Sequence, residues 1–131
     1  MRLLAVGAVV VVVAIAAVTF ATQHRANVSA RPTASEARSL YDSGVQFIDV
    51  RTDEEWAAGH LKSAIHLPVS DVTEKASALL PDQHKPIVTY CASGVRAEKA
   101  AQALRAQGYT HVIALAGGFD DLKATQYPVS Q

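Results

Sequence analysis

IVTYCASGVRAEKAAQAL, residues 87–104, holds the only cysteine of a 131-residue chain. Its first four residues, Ile87-Val88-Thr89-Tyr90, are apolar and β-branched and predict a strand. From Arg96 to Gln107 the chain is rich in alanine and predicts a helix, which Gly108 stops. Only Cys91, the small residues Ala92, Ser93 and Gly94, and Val95 lie between the two. A strand that feeds a helix through so short a loop is half of a βαβ unit.

The pattern repeats on either side. Thr33 or Ser35 caps a helix to about Asp42, and Ser43-Gly44 ends it. A second apolar β-branched run covers 45–50, followed by a brief helix over 53–58 that Gly59 stops. A short strand over 64–67 closes at Pro68, and Ser70 or Asp71 caps a helix to about Leu80. After a loop over 81–86 and the 87–104 unit come a fourth strand (111–115), Gly117-Gly118 and a last helix (119–124). Alternation of this kind predicts an α/β fold, a parallel sheet with helices on both faces.

Ligands of such sheets bind beyond the carboxyl ends of the strands. Asp49 and Arg51 fall there after one strand, and Cys91 after another. A lone cysteine is most often a small buried hydrophobe. Here the thiol stands at the sheet edge, before small residues and a helix start whose first N–H groups lack helical partners. Such a curl of amides holds an anion: a thiolate, a persulfide or an oxyanion. Lowering a thiol's pKa by roughly two units gains thiolate but loses intrinsic nucleophilicity, for a net gain of about threefold. A loop like this therefore matters more for holding a negative charge carried on sulfur. Arg96 adds a positive charge or is an exposed first-turn residue. Asp49 and Arg51 read as a structural ion pair or as an attractor for an anionic donor, with Glu55 an expected partner for Arg51.

Cys91-Ala92-Ser93-Gly94-Val95-Arg96 resembles the active-site loop of the rhodanese-type sulfurtransferases. Three further blocks match that family in order: Asp49-Val50-Arg51 with Glu55-Trp56-Ala57-Ala58-Gly59-His60-Leu61; Ala64-Ile65-His66-Leu67-Pro68; and Leu115-Ala116-Gly117-Gly118-Phe119 with Tyr127-Pro128-Val129. The resemblance covers about residues 33–129. It implies a five-stranded parallel sheet flanked by helices and a sulfurtransferase that needs no cofactor or metal. It further implies Cys91 as nucleophile, taking a sulfane sulfur from a donor such as thiosulfate and passing it from a persulfide to cyanide or a thiol. The backbone N–H groups of Ala92, Ser93, Gly94, Val95 and Arg96 would hold the terminal sulfur, with Asp49 and Arg51 in support. Leu122, Gln126 and Ser63 depart from the family pattern at packing and turn positions. Within the loop, Arg96 is the only charged side chain, which weakens the case for thiosulfate as donor.

Two alternatives share the fold. A non-catalytic binding module would keep the loop with an unreactive Cys91. Related phosphatases and arsenate reductases use a loop one residue longer, with arginine where this chain has Ala97. His60 and His66 read as turn residues, Trp56 as core, and His24, His84 and His111 are too scattered for a metal site. One cysteine excludes an internal disulfide and a multi-thiolate zinc site.

From Leu3 to Ala21 there is no charge, and Thr19 is the only polar residue. As a helix this run would be about 29 Å long, near the thickness of a bilayer core. It predicts a hydrophobic helix preceding the domain, so that residues 1–30 form a signal peptide or membrane anchor plus linker and 31–131 the folded domain. Cleavage fits Thr19-Phe20-Ala21 or Val28-Ser29-Ala30; the length favours an anchor. Arg2 precedes the run and Arg25, Arg31 and Arg38 follow it, so charge alone does not orient it. With two residues ahead of the run, it reads as an export signal, placing the domain in the periplasm or outside the cytoplasmic membrane. Acidic and basic residues balance at 12 each, and no basic stripe suggests nucleic acid.

Overall fold

The computed structural model describes residues 31–131. In chain order its elements are α1 (Ala34–Asp42), β1 (Gln46–Asp49), α2 (Asp53–Ala58), β2 (His60–Leu61), β3 (Ile65–His66), a 3₁₀ turn (Val69–Asp71), α3 (Val72–Leu79), β4 (Ile87–Tyr90), α4 (Val95–Ala106), β5 (Val112–Ala114), α5 (Phe119–Ala124) and β6 (Val129–Ser130). The hydrophobic helix expected within residues 1–30 lies outside the described residues. Among those described, no helix is long and apolar enough to cross a membrane.

Four strands form the parallel sheet, in the order β3-β1-β4-β5, with Phe47 beside Val88 and Val88 beside Ile113. The expected fifth parallel strand is absent among the described residues. His60 and Leu61 pair antiparallel with Ser130 and Val129 in a separate two-residue ribbon. Leu61 N–H donates to the Tyr90 hydroxyl at 3.0 Å, which ties this ribbon to β4. At the β5 edge the chain before α1 accepts a bond, from Ala116 N–H to the Pro32 carbonyl at 2.8 Å, and Pro32 has no N–H with which to extend a ladder.

Side chains alternate across the sheet as period-two geometry requires. Ile48, Val50 and Ile87 face a cluster with Val72, Ala76, Ala97, Ala100, Ala101 and Leu104 from α3 and α4. Phe47, Val88 and Tyr90 face the other layer, with Ala34 and Ala37 of α1 and Phe119 and Leu122 of α5. The buried alanines of α4 lack bulk, so its axis lies close to the sheet and its first turn is carried to the end of β4. Caps fix the helix starts. The Thr33 hydroxyl accepts from Glu36 N–H, and Thr52 with Glu55 forms a reciprocal capping box on α2.

Candidate active site

The chain runs from β1 outward to β3, then crosses back to β4 and on to β5. The reversal between β1 and β4 opens a crevice at their carboxyl ends. Asp49 with Arg51 stands on one side of it and Cys91 on the other.

The loop after β4 curls back on its own sulfur. Gly94 N–H donates to Cys91 Sγ at 3.0 Å, and Cys91 is fully buried. Gly94 makes the curl possible, because its φ of +100° is left-handed. A Cβ there would also stand 2.7 Å from the Ala116 carbonyl oxygen. Among the described residues, no protein group accepts from the amides of Ala92, Ser93 or Val95. These N–H groups precede or begin a twelve-residue helix, whose dipole places partial positive charge at the same point. Ala92 and Ser93 are exposed and Val95 is 75 % exposed, so the rim of the loop carries no charge.

Three fastenings hold the curl. Phe119 N–H donates to the Cys91 carbonyl at 2.9 Å, and the buried Thr89 hydroxyl donates to the Ala97 carbonyl at 2.8 Å. Arg31 is the third. Its Nη2 donates to the Gly94 carbonyl at 2.7 Å and to that of Leu115 at 3.1 Å, and its Nε lies 3.4 Å from Glu98. Gly118 lies against the loop so closely that a Cβ on it would overlap the Ala92 carbonyl.

Arg51 sits deeper. Its guanidinium is forked onto the fully buried Asp49, with Nη2 to Oδ2 at 2.7 Å, and also donates to the Gly59 carbonyl at 2.6 Å. Phe119 lies beneath it, 4.1 Å from ring centroid to guanidinium carbon. At 4 % exposure, Arg51 spends its Nε and Nη2 on Asp49 and Gly59 and braces the floor of the site. The bond to Asp49 raises its pKa against the burial that lowers it. Asp49 also accepts from Arg51 N–H at 2.9 Å.

Glu55, the expected partner of Arg51, is instead paired with Arg96, at 2.6 Å to Nη1 and 3.0 Å to Nη2. This fork, helped by Thr52 N–H, lowers the Glu55 carboxyl to about 2 and raises the Arg96 guanidinium. The correction follows from the capping box, which turns Glu55 to the start of α2, while Asp49 is two residues from Arg51. Trp56, expected in the core, is half-buried and stacked between the rings of His60, at 3.4 Å, and His66, at 4.7 Å. His60 Nδ1 bonds the Trp56 carbonyl and His66 Nε2 that of Arg51, both at 2.9 Å, so each ring fastens a turn. Among the described residues no group of three His, Cys, Asp or Glu could hold a metal ion.

Sequence reasoning missed Arg31, Thr89 and the close seat of Gly118. Arg31 lies 63 residues from the carbonyl it holds, and no local pattern marks such a contact.

A rhodanese-like domain family model matches residues 33–125. The chain belongs to the rhodanese-like domain family. Among relatives of this rhodanese-like domain, the thiosulfate sulfurtransferase PspE of Escherichia coli is 36% identical over 76 residues, 58% of this chain and 72% of that protein. The thiosulfate sulfurtransferase GlpE of Coxiella burnetii is 34% identical over 82 residues, 63% of this chain and 74% of that one. The solved structure of the human single-domain sulfurtransferase TSTD1 superposes with a TM-score of 0.65 at 30% identity, covering 77% of this chain and all of that one.

Proposed function

We propose that the protein is a sulfurtransferase that carries sulfane sulfur as a persulfide on Cys91. The observation that carries this reading is the Gly94 N–H at 3.0 Å from Sγ, beside loop amides with no protein acceptor, at the start of α4. A sulfur added to Cys91 brings a negative charge with it, and those N–H groups supply its hydrogen bonds.

In the first half-reaction, the Cys91 thiolate attacks the outer sulfur of the donor. With thiosulfate the donor's S–S bond breaks, sulfite leaves with the bonding electron pair, and a new S–S bond joins the sulfur to Sγ. In the second, a nucleophile attacks the terminal sulfur and the Cys91 thiolate leaves. Cyanide then gives thiocyanate, and a thiolate gives its persulfide. The covalent carrier predicts ping-pong kinetics. No cofactor enters, since both steps exchange one sulfur–sulfur or sulfur–carbon bond for another.

A second reading, a binding module with an unreactive cysteine, is favoured by the full burial of Cys91. Thiocyanate formation from thiosulfate and cyanide separates the two. Turnover by the full-length chain that vanishes in Cys91→Ser supports the enzyme. Equal rates in both proteins contradict it.

The apolar run from Leu3 to Ala21 supports export of the domain, either to the periplasm or tethered outside the cytoplasmic membrane. Fractionation of cells producing the full chain tests this, and recovery in the cytosol contradicts it.

A further inference from the structure

Three guanidinium groups lie near the Cys91 loop, and each faces a carboxylate, although Glu98 is shared between Arg31 and Arg105. Arg31, on the Gly94 carbonyl, meets Glu98 at 3.4 Å. Arg51, against the Phe119 ring, is forked onto Asp49. Arg96, in the first turn of α4, is forked onto Glu55. The rim residues Ala92, Ser93 and Val95 carry no charge.

The cavity that Arg96 borders, about 360 Å³, continues the pattern. Its other charged residues are Arg51, Asp53, Glu54 and Asp71. Both arginines are already matched, and Asp71 meets Lys75 at 3.2 Å. Asp53 and Glu54 are exposed and tip the cavity toward negative potential. The site therefore offers a sulfur anion backbone amides, while the two arginines that line its cavity are each engaged by a carboxylate.

We infer that this site discriminates by charge against dianionic sulfur donors such as thiosulfate and takes persulfides of thiols bearing no net negative group, with Glu55 as the specificity-determining residue. The inference rests on the sulfurtransferase reading and narrows its donor. With cysteamine persulfide the Cys91 thiolate attacks the outer sulfur, the donor S–S bond breaks, and cysteamine thiolate leaves with the electron pair. One S–S bond replaces another, with no net oxidation. Amide donors suffice for the single negative charge left on the terminal sulfur. A dianion must also approach Asp53 and Glu54 while Arg51 and Arg96 are held by Asp49 and Glu55.

The test compares thiosulfate with cysteamine persulfide on the full-length chain and on Glu55→Gln. Glutamine keeps the length of the side chain and an oxygen for Thr52 N–H while removing the negative charge that offsets Arg96. One guanidinium without a compensating charge, facing two donor charges across about 6 Å of high-dielectric solvent, corresponds to about tenfold. The ratio of kcat/KM for thiosulfate to that for cysteamine persulfide rises by about that factor in Glu55→Gln, and the change lies in KM. An unchanged ratio, together with a wild-type preference for thiosulfate, overturns the inference and leaves the sulfurtransferase reading intact.

Alkylation of Cys91 gives a readout that needs no turnover and no variant. In the wild-type chain, raising the ionic strength speeds iodoacetate, an anion, relative to neutral iodoacetamide. The opposite salt trend overturns the inference. The expected trend with no sulfur transferred from either donor leaves the charge pattern standing and defeats the sulfurtransferase reading instead.

Discussion

Glu55 and Arg96, forty-one residues apart, share a forked pair of hydrogen bonds of 2.6 and 3.0 Å. The fork ties the cap of α2 to the first turn of α4. Both side chains are 32 % exposed, so solvent screens the pair and its contribution is under about 1 kcal/mol. Arg96 lowers the Glu55 carboxyl from 4.5 to about 2. A carboxyl lowered by folding adds stability above its unfolded value, and that stability is lost as pH falls through the folded one. Urea unfolding is therefore expected to show wild type more stable than Glu55→Gln near neutrality. The gap closes as pH falls from about 4.5 to about 2. A gap that stays constant over that range contradicts the pairing.

Gly118 is needed for space and not for backbone freedom, since its φ of −144° is extended. A Cβ at this position overlaps the Ala92 carbonyl. Gly118→Ala is expected to push the loop off its seat and to lower the rate of thiocyanate formation by about a hundredfold, the scale of a 1 Å misplacement. Retained helix content by circular dichroism shows that the loss is local. Full activity contradicts the seating of Gly118 on the loop.

The buried pair of Asp49 and Arg51 carries a larger share of stability. Removing one partner leaves an uncompensated charge, at a cost of about 3–5 kcal/mol. Arg51→Met is expected to lower stability by that amount in urea unfolding, because Asp49 then faces an apolar neighbour. Cys91 lies elsewhere in the crevice, so residual folded Arg51→Met still accepts iodoacetamide. A loss below 1 kcal/mol contradicts the role of the pair.

Tyr127 links the C-terminal segment to α1 through its hydroxyl, which donates to the Ala34 carbonyl at 2.7 Å. Burial raises its phenol from 10 to about 12. A phenol raised by folding adds stability that is complete below pH 10 and is lost as pH rises toward 12. Burial raises the Tyr90 phenol in the same direction. Tyr127→Phe is expected to cost about 1 kcal/mol at pH 7 and to flatten the loss between pH 10 and 12. Thermal melts across that range check both, and an unaltered alkaline slope contradicts the assignment to Tyr127.

What was legible in the sequence was what is local. The strand Ile87–Tyr90, the small residues after it and the alanine-rich helix are one continuous stretch, and their order alone placed Cys91 at the sheet edge. Asp49 and Arg51 are two residues apart, and their pairing was an available reading for that reason. Contacts between distant segments left no such trace. Glu55 was matched to Arg51 because both lie in one block, whereas its partner is on α4. Trp56 was expected in the core on size alone, and a sandwich of two imidazoles is not visible in a hydropathy pattern. The four strands read from β-branched runs are the four of the sheet. The fifth, implied by resemblance, is absent among the described residues, and the two-residue strands of the separate ribbon are too short to register as apolar runs.

The central claim is that Cys91 carries sulfur, and intact mass of the full-length chain before and after a sulfane donor tests it most directly. Thiosulfate and cysteamine persulfide are supplied separately, beside a Cys91→Ser control. The account predicts a gain of one sulfur atom with at least cysteamine persulfide, removed by cyanide or a dithiol and absent in the control. No gain with either donor, from protein whose Cys91 still reacts with iodoacetamide, would contradict it.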